Sequence, residues 1–484
     1  MSTTRVINTR PFSIRDKIGY MFGDFGNDFT FIFASAFLMI FYTKVMGISG
    51  VIVGTLFLVA RIIDAVADVT VGVLVDKAST HEGGKYRVIM MRMAAPVAIF
   101  SFLMYQGFFA QSAMWIRITY MTITYLAWGI LYSCVYIPYG AMAAVISPNP
   151  KDRTSLSTFR AIGAAFAGMI VGIVTPIIVY TKDAQGNQII RGGEHSNIFM
   201  WVALLYSILA FCCYVLCYIN TVERVRIEPD THQHTDGNQP TDNQPTKHRT
   251  IWQMIIEACS SRAMLGLMGS AVALLVSYLF LQQMVMYIYT DYFRSAKMLS
   301  MNYAIEGTVM LCITAPCATF AAKRIGHRAV AIFGSALGTI SMLVLFLLHT
   351  TNGWLFLTIY NIAGIGISTF IFVAWAMVTD VIDDNEVRHG IREDATYNSV
   401  YSFARKVGQA LGGWFAGLCL TLVGYQKGAQ AVQSQATLDG LYNAITVLPM
   451  IFLAIMFIML VFVYPLSKAQ VDANTARLQQ LRSM

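Results

Sequence analysis

The sequence predicts an all-α polytopic membrane protein of twelve transmembrane helices in two six-helix bundles. Three observations carry that prediction. Only 12% of the 484 residues are charged and 56% are apolar, with a mean hydropathy of +0.57. A soluble chain is about a quarter charged and cannot hide so much apolar surface, whereas a bilayer solvates it directly. Apolar runs long enough to cross a hydrocarbon layer of about 30 Å recur twelve times. A polar stretch, roughly Val222 to Thr250, divides these runs six and six.

The runs lie at 18–43, 51–75, 88–109, 114–146, 157–181, 198–220, 264–290, 298–322, 329–349, 353–382, 396–423 and 438–464. They are continuous rather than alternating. Lipid leaves only helices and closed barrels able to satisfy the backbone, so each run is a helix. Basic residues set the orientation. Lys77, Lys85, Arg87, Lys151, Arg153, Arg224, Lys323, Arg324, Arg328, Lys468 and Arg477 all fall on one side, which places both termini in the cytoplasm. The polar divider is rich in His, Asn, Gln, Pro, Thr and Asp and reads as a flexible linker. The expected organisation is an N-terminal bundle over 1–221, a cytoplasmic linker over 222–250, a C-terminal bundle over 251–466 and a cytoplasmic tail over 467–484. An internal repeat supports it. Ser157-Thr-Phe-Arg160-Ala-Ile-Gly163-Ala-Ala165-Phe-Ala-Gly168 lies over Ser402-Phe-Ala-Arg405-Lys-Val-Gly408-Gln-Ala410-Leu-Gly-Gly413 at a shift of 245 residues, pairing the fifth run with the eleventh. Duplicated folds of this kind place their substrate site near the midplane, between the halves.

The net charge of +8 does not imply a nucleic-acid partner, because the basic residues sit in short clusters between apolar runs. Most cysteines lie inside the runs and none forms a Cys-x-x-Cys pair, so no metal or redox cofactor is expected. The polar N-terminus, Met1 to Asp16, shows no cleavable signal.

Ionisable groups inside a span are costly and ask for a reason. Asp24 and Asp28 share one face of the first run, and Asp64 and Asp68 share one face of the second, with Arg61 a turn before them. Arg160 opens the fifth run, and Arg405 and Lys406 occupy the eleventh. Ion pairs that merely lock helices together are the alternative, but buried pairs are poor stabilisers beside apolar packing. Four acids on neighbouring helices, with cations in both halves, point to a site for a sugar and a cation. Tyr132, Tyr136 and Gly140 fall on one face of the fourth run, where aromatic rings can stack on a pyranose or simply fill space. Asp380 and Asp383 end the tenth run, where they can pair with Arg153 or Arg392 as a cytoplasmic mouth closes, or lie in a solvated loop.

At these residues the sequence resembles the glycoside–pentoside–hexuronide:cation symporters, the branch of the major facilitator fold that includes melibiose permease. The marks are Gly23-Asp24-Phe-Gly-Asn27-Asp28-Phe29, Gly54-Thr-Leu-Phe-Leu-Val-Ala-Arg61-Ile-Ile-Asp64-Ala-Val-Ala-Asp68, Asp76-Lys77 with Gly84-Lys85-Tyr-Arg87, Ile137-Pro138-Tyr139, Arg160, and Lys406 ahead of Gly408. The run at 154–160 looks closest to xyloside-carrying members. The resemblance implies a substrate site of Asp28, Asn27, Tyr132, Tyr136, Arg160 and Lys406, with Asp64, Asp68 and Ser133 on the cation. Tyr136 and Gly140 stand where the melibiose carrier has an aspartate and a tryptophan, and Ala67 replaces a sodium-site asparagine. Sodium needs a cage of oxygen ligands and a proton does not, so the proton is favoured over sodium.

The expected function is therefore import of a sugar or glycoside by cation symport, performed by a monomer in the bilayer. A membrane-embedded enzyme acting on a lipid-linked sugar is the competing reading. It needs a catalytic acid or His cluster at a membrane face, and none of the eight histidines lies deep in a run.

Overall fold

The structure is a computed structural model that describes residues 4–6, 10–78, 84–192, 197–227, 261–389, 394–428 and 431–483. Six helices form the first bundle: α1 Ile14–Val45, α2 Gly50–Lys77, α3 Tyr86–Leu103, α4 Met114–Ile146, α5 Pro150–Val179 and α6 Ile198–Asn220. Six form the second: α7 Arg262–Tyr292, α8 Ala296–Ile325, α9 His327–Leu348, α10 Gly353–His389, α11 Asp394–Leu422 and α12 Gln435–Val463. Among the described residues, eleven helices are long and apolar enough to cross a membrane by composition alone. The twelfth crossing is α11, which has the length but carries Arg405 and Lys406.

Helix ends follow capping chemistry more closely than the apolar runs do. The run at 157–181 begins as a helix seven residues earlier, at Pro150, because Asn149 accepts from the Lys151 amide at 3.0 Å and proline suits a first turn. The first run likewise starts at Ile14, where Asp16 accepts from the Ser13 amide at 3.2 Å. In α8 a wide i→i+5 turn over Met310–Thr314 precedes Pro316. Proline lacks an amide hydrogen and crowds the carbonyl four residues back, and the wide turn absorbs both defects.

Within the first bundle α1 packs on α5 and α6, and in the second α7 packs on α11 and α12. The bundles meet through α2 against α11 and α5 against α8. Exchanging the halves maps one of these contacts onto the other, as the repeat requires. The repeat is visible in atoms as well. A Cβ on Gly163 would lie 2.8 Å from the Met21 carbonyl of α1, and one on Gly408 would lie 2.8 Å from the Val272 carbonyl of α7.

Two stretches outside the bundles carry structure of their own. Of the linker expected over 222–250, residues 222–227 are held in place and 228–250 lie outside the described residues. Glu223 accepts from the Lys85 and Arg87 amides at 2.8 and 2.6 Å, and Arg224 reaches the fully buried Asp16 at 2.9 Å. A short strand, Val225–Ile227, pairs antiparallel with Thr4–Val6. The tail expected over 467–484 is a helix, α13 Lys468–Ser483, that packs on α10. Its Leu478 is buried, and its Asn474 donates to Asp384 at 3.0 Å.

Candidate functional site

The intramembrane charges lie near the middle of their helices and form two adjoining groups. In the first, Arg160 of α5 donates from Nε to Asp24 at 3.1 Å and from Nη2 to the Tyr136 hydroxyl at 2.8 Å. Its guanidinium lies 5.2 and 5.3 Å from the ring centres of Tyr136 and Tyr139. The acid paired with Arg160 is therefore Asp24, one turn before Asp28. Asp28 has no hydrogen-bond partner among the described residues and lines a cavity instead. Asn27, expected on the substrate, is buried, and its Oδ1 accepts from Tyr214 of α6 at 3.0 Å. One residue turns a helix by about 100°, so Asn27 and Asp28 face different neighbours. Tyr132 and Tyr136 stack with ring centres 5.6 Å apart. A Cβ on Gly140 would meet nothing within 4 Å, so this face of α4 opens onto free space.

The second group centres on Asp68. Ser133 of α4 donates to Asp68 Oδ1 at 2.5 Å, and Lys406 of α11 donates to Oδ2 across the bundle interface. Arg61 lies 3.6 Å from Asp64 Oδ2, while Asp64 Oδ1 is buried without a partner among the described residues. Gly129 makes room for that carboxylate, since a Cβ there would sit 2.5 Å from Asp64 Oδ1. Arg405 points elsewhere and lies 5.5 Å from the Trp375 ring centre. The fourth helix joins the two groups, because Ser133 serves Asp68 while Tyr136, three residues on, serves Arg160.

A cavity of about 400 Å³ lies between the bundles. Asp28 and Ile32 of α1 and Ala161, Ala164, Ala165 and Gly168 of α5 line one side. Tyr278 and Gln282 of α7, Tyr303 and Glu306 of α8, and Tyr360 and Gly364 of α10 line the other. Sequence reasoning passed over Glu306, although an acid inside the eighth apolar run was signal enough.

The bundles are sealed on the face away from the termini. Lys44 at the end of α1 meets Asp291 at the end of α7 at 2.6 Å with both side chains buried, and the Tyr425 hydroxyl donates to the same carboxylate. Thr43 and Tyr287 share a hydrogen bond of 2.8 Å. A Cβ on Gly417 would fall 2.1 Å from the Gly50 carbonyl, so only glycine permits α2 and α11 to approach so closely. These contacts run from that face to mid-membrane, where Lys406 meets Asp68. On the terminal side the expected pairing partners are engaged within their own halves. Arg153 donates to the Ser147 carbonyl at 2.9 Å, and Asp380 pairs with His327 at 2.7 Å. Asp383 is half-buried a turn further along α10, and Arg392 lies outside the described residues.

Two six-helix bundles with a mid-membrane cavity between them and buried charges on both define a major facilitator transporter. The solved structure of a bacterial homologue of the human lysosomal transporter Spinster superposes with a TM-score of 0.63 at 13% identity, covering 96% of this chain and 97% of that one. A family model described as MFS/sugar transport protein matches residues 19–468, and the chain belongs to that family, in its glycoside–pentoside–hexuronide branch. It is similar to the glucuronide carrier protein homolog of Escherichia coli strain K12, with 28% identity covering 94% of this chain and 93% of that one. It is also similar to the isoprimeverose transporter of Lactiplantibacillus pentosus, with 28% identity covering 88% and 84%. The molecule is thus a multi-pass membrane transporter for a sugar or glycoside and a coupling cation, and the membrane-enzyme reading falls.

Proposed function

We propose that the protein imports a neutral or acidic glycoside by proton symport with alternating access, its termini in the cytoplasm, acting as a monomer. The observation that carries this is the Lys406 ammonium on Asp68, a contact across the bundle interface made by an acid that Ser133 also holds. Lys406 neutralises Asp68 and Arg61 neutralises Asp64. An arriving cation that takes Asp68 releases Lys406, and so changes what holds the two bundles together. Ion binding is then tied to bundle movement by a partner exchange, which is the differential contact that coupling requires.

The proton is favoured because the oxygens at hand are those of Asp64, Asp68 and Ser133, and Ala67 adds none. The sugar lies in the cavity between the bundles, where Asp28 hydrogen-bonds its hydroxyls; Arg160, paired with Asp24, reaches the same hydroxyls, and Tyr132 and Tyr136 stack on the ring. Asn27 keeps α1 on α6. With the far face sealed, the state described is the one open to the cytoplasm. Closing that mouth lets Arg153 and Arg392 take Asp380 or Asp383 as partners.

The test is uptake of radiolabelled xyloside, glucoside and glucuronide by proteoliposomes at clamped membrane potential. Accumulation driven by an inward pH gradient, without response to sodium, is expected. Sodium stimulation at constant pH refutes the proton assignment, and absence of gradient-driven accumulation of every glycoside refutes symport of these substrates.

A further inference from the structure

The cavity holds a second acid that the reading above does not use, and its surroundings bear on which glycosides can enter. Glu306 faces the space that Asp28 faces from the opposite bundle. It has no hydrogen bond or ion pair among the described residues. Among the described residues Gln282, which lines the same space, is likewise without a partner, and the Tyr303 hydroxyl is buried unpaired. Buried polar groups are nearly always hydrogen-bonded, so the unpaired Tyr303 hydroxyl, with the half-buried Glu306 and Gln282 beside it on the void, forms a surface suited to recognising a polyhydroxylated molecule. No Lys, Arg or His stands among the cavity's lining residues. The nearby cations are committed to other acids: Arg160 to Asp24, Lys406 to Asp68 and Arg61 to Asp64.

We propose that Glu306 is a second substrate-binding carboxylate, supplied by the second bundle, and that Asp28 and Glu306 together select uncharged glycosides and reject hexuronides. The proposal rests on the reading of this cavity as the sugar site and narrows its substrate class. Two carboxylates on opposite walls accept hydrogen bonds from hydroxyls on the two edges of a pyranose. They repel a third carboxylate: the lining itself offers no guanidinium or ammonium, and the Arg160 guanidinium that reaches the sugar hydroxyls has its charge already neutralised by Asp24. The alanines, Ile32 and Gly168 on α5 and α1 give the ring and aglycone an apolar wall.

The discriminating probes are the p-nitrophenyl xyloside, glucoside and glucuronide, in both anomers, which differ only at the sixth carbon. Binding to the purified full-length protein is measured calorimetrically at pH 7.5. The xyloside or glucoside is expected to bind at least tenfold more tightly than the matching glucuronide. Glu306→Gln should weaken the neutral ligand several-fold and shrink the neutral-to-glucuronide ratio at least threefold. Glu306→Asp, which keeps the charge, should keep the ratio while weakening both, and thermal unfolding of each variant checks that it is folded. Equal binding of glucoside and glucuronide, or a ratio untouched by Glu306→Gln, overturns the proposal and leaves the sugar site standing. So does binding of a 2-amino-2-deoxy glycoside more than tenfold tighter than its neutral parent, which makes the acids counter-ions. Binding of none of these glycosides overturns the cavity's reading as a sugar site as well.

Discussion

Substituting Lys44 should open the face away from the termini. In the structure its ammonium lies 2.6 Å from Asp291, with side-chain exposures of 5% and 9%. The acid also accepts from Tyr425 and, at 3.2 Å, from Thr290. Removing one partner of a buried pair costs about 3–5 kcal/mol, because the other charge stays buried and uncompensated. When the bundles part at this face, Asp291 meets water and the penalty vanishes. Lys44→Met therefore raises the sealed state relative to the open one by about 3 kcal/mol, which is about two decades in their ratio. The assay is a double electron–electron resonance distance between labels at Gln111→Cys in the first bundle and Thr351→Cys in the second, both exposed on this face. Cys212, Cys312 and Cys317, exposed among the described residues, and Cys259, which lies outside them, are replaced by serine beforehand. Lys44→Met should populate a longer distance that the parent protein shows only weakly, and Lys44→Met/Asp291→Leu should restore part of the short one. A folded Lys44→Met protein with an unchanged distance distribution would refute the reasoning.

Two further outcomes follow from the same geometry. Gly364 lines the cavity, and a Cβ there would meet nothing within 4 Å; Gly364→Leu should therefore occupy substrate space and lower glycoside affinity at least tenfold by calorimetry, with the melting temperature unchanged or raised. Asp68→Asn leaves the Lys406 ammonium facing a neutral amide; with side-chain exposures of 29% and 33% the pair is only partly buried, so the single variant should lower the melting temperature slightly more than Asp68→Asn/Lys406→Met does, while both abolish gradient-driven accumulation; equal melting temperatures would mean that the pair contributes nothing to the fold.

What can be read from a chain of this kind depends on the range of the physics involved. Hydrophobicity is a property of consecutive residues, and a span must be about twenty residues long, so the number of crossings and their division six and six are written along the sequence. Even α11, whose charges lower its mean hydropathy, was recoverable from its apolar frame and from its match to α5. The cost of ions in lipid similarly marked Asp24, Asp28, Arg61, Asp64, Asp68, Arg160 and Lys406, and applied evenly it would have marked Glu306 too.

Partnership was not legible, because it depends on which helix faces come together. Helical spacing puts Asp24 and Asp28 on one side of α1, but only the packing of α5 gives Arg160 to Asp24 and leaves Asp28 to the cavity. Asn27 adjoins Asp28 in sequence and is separated from it by about 100° of rotation, which α6 converts into a bond to Tyr214. The seal of Lys44 on Asp291 joins residues 247 apart, at helix ends where sequence assigns charges to water. The sequence by itself determined the membrane, the two bundles and the inventory of buried charges, because each follows from local transfer free energies. Tertiary structure alone decided which charges neutralise one another and which face the void, because those choices are made by side chains meeting from helices far apart in the chain.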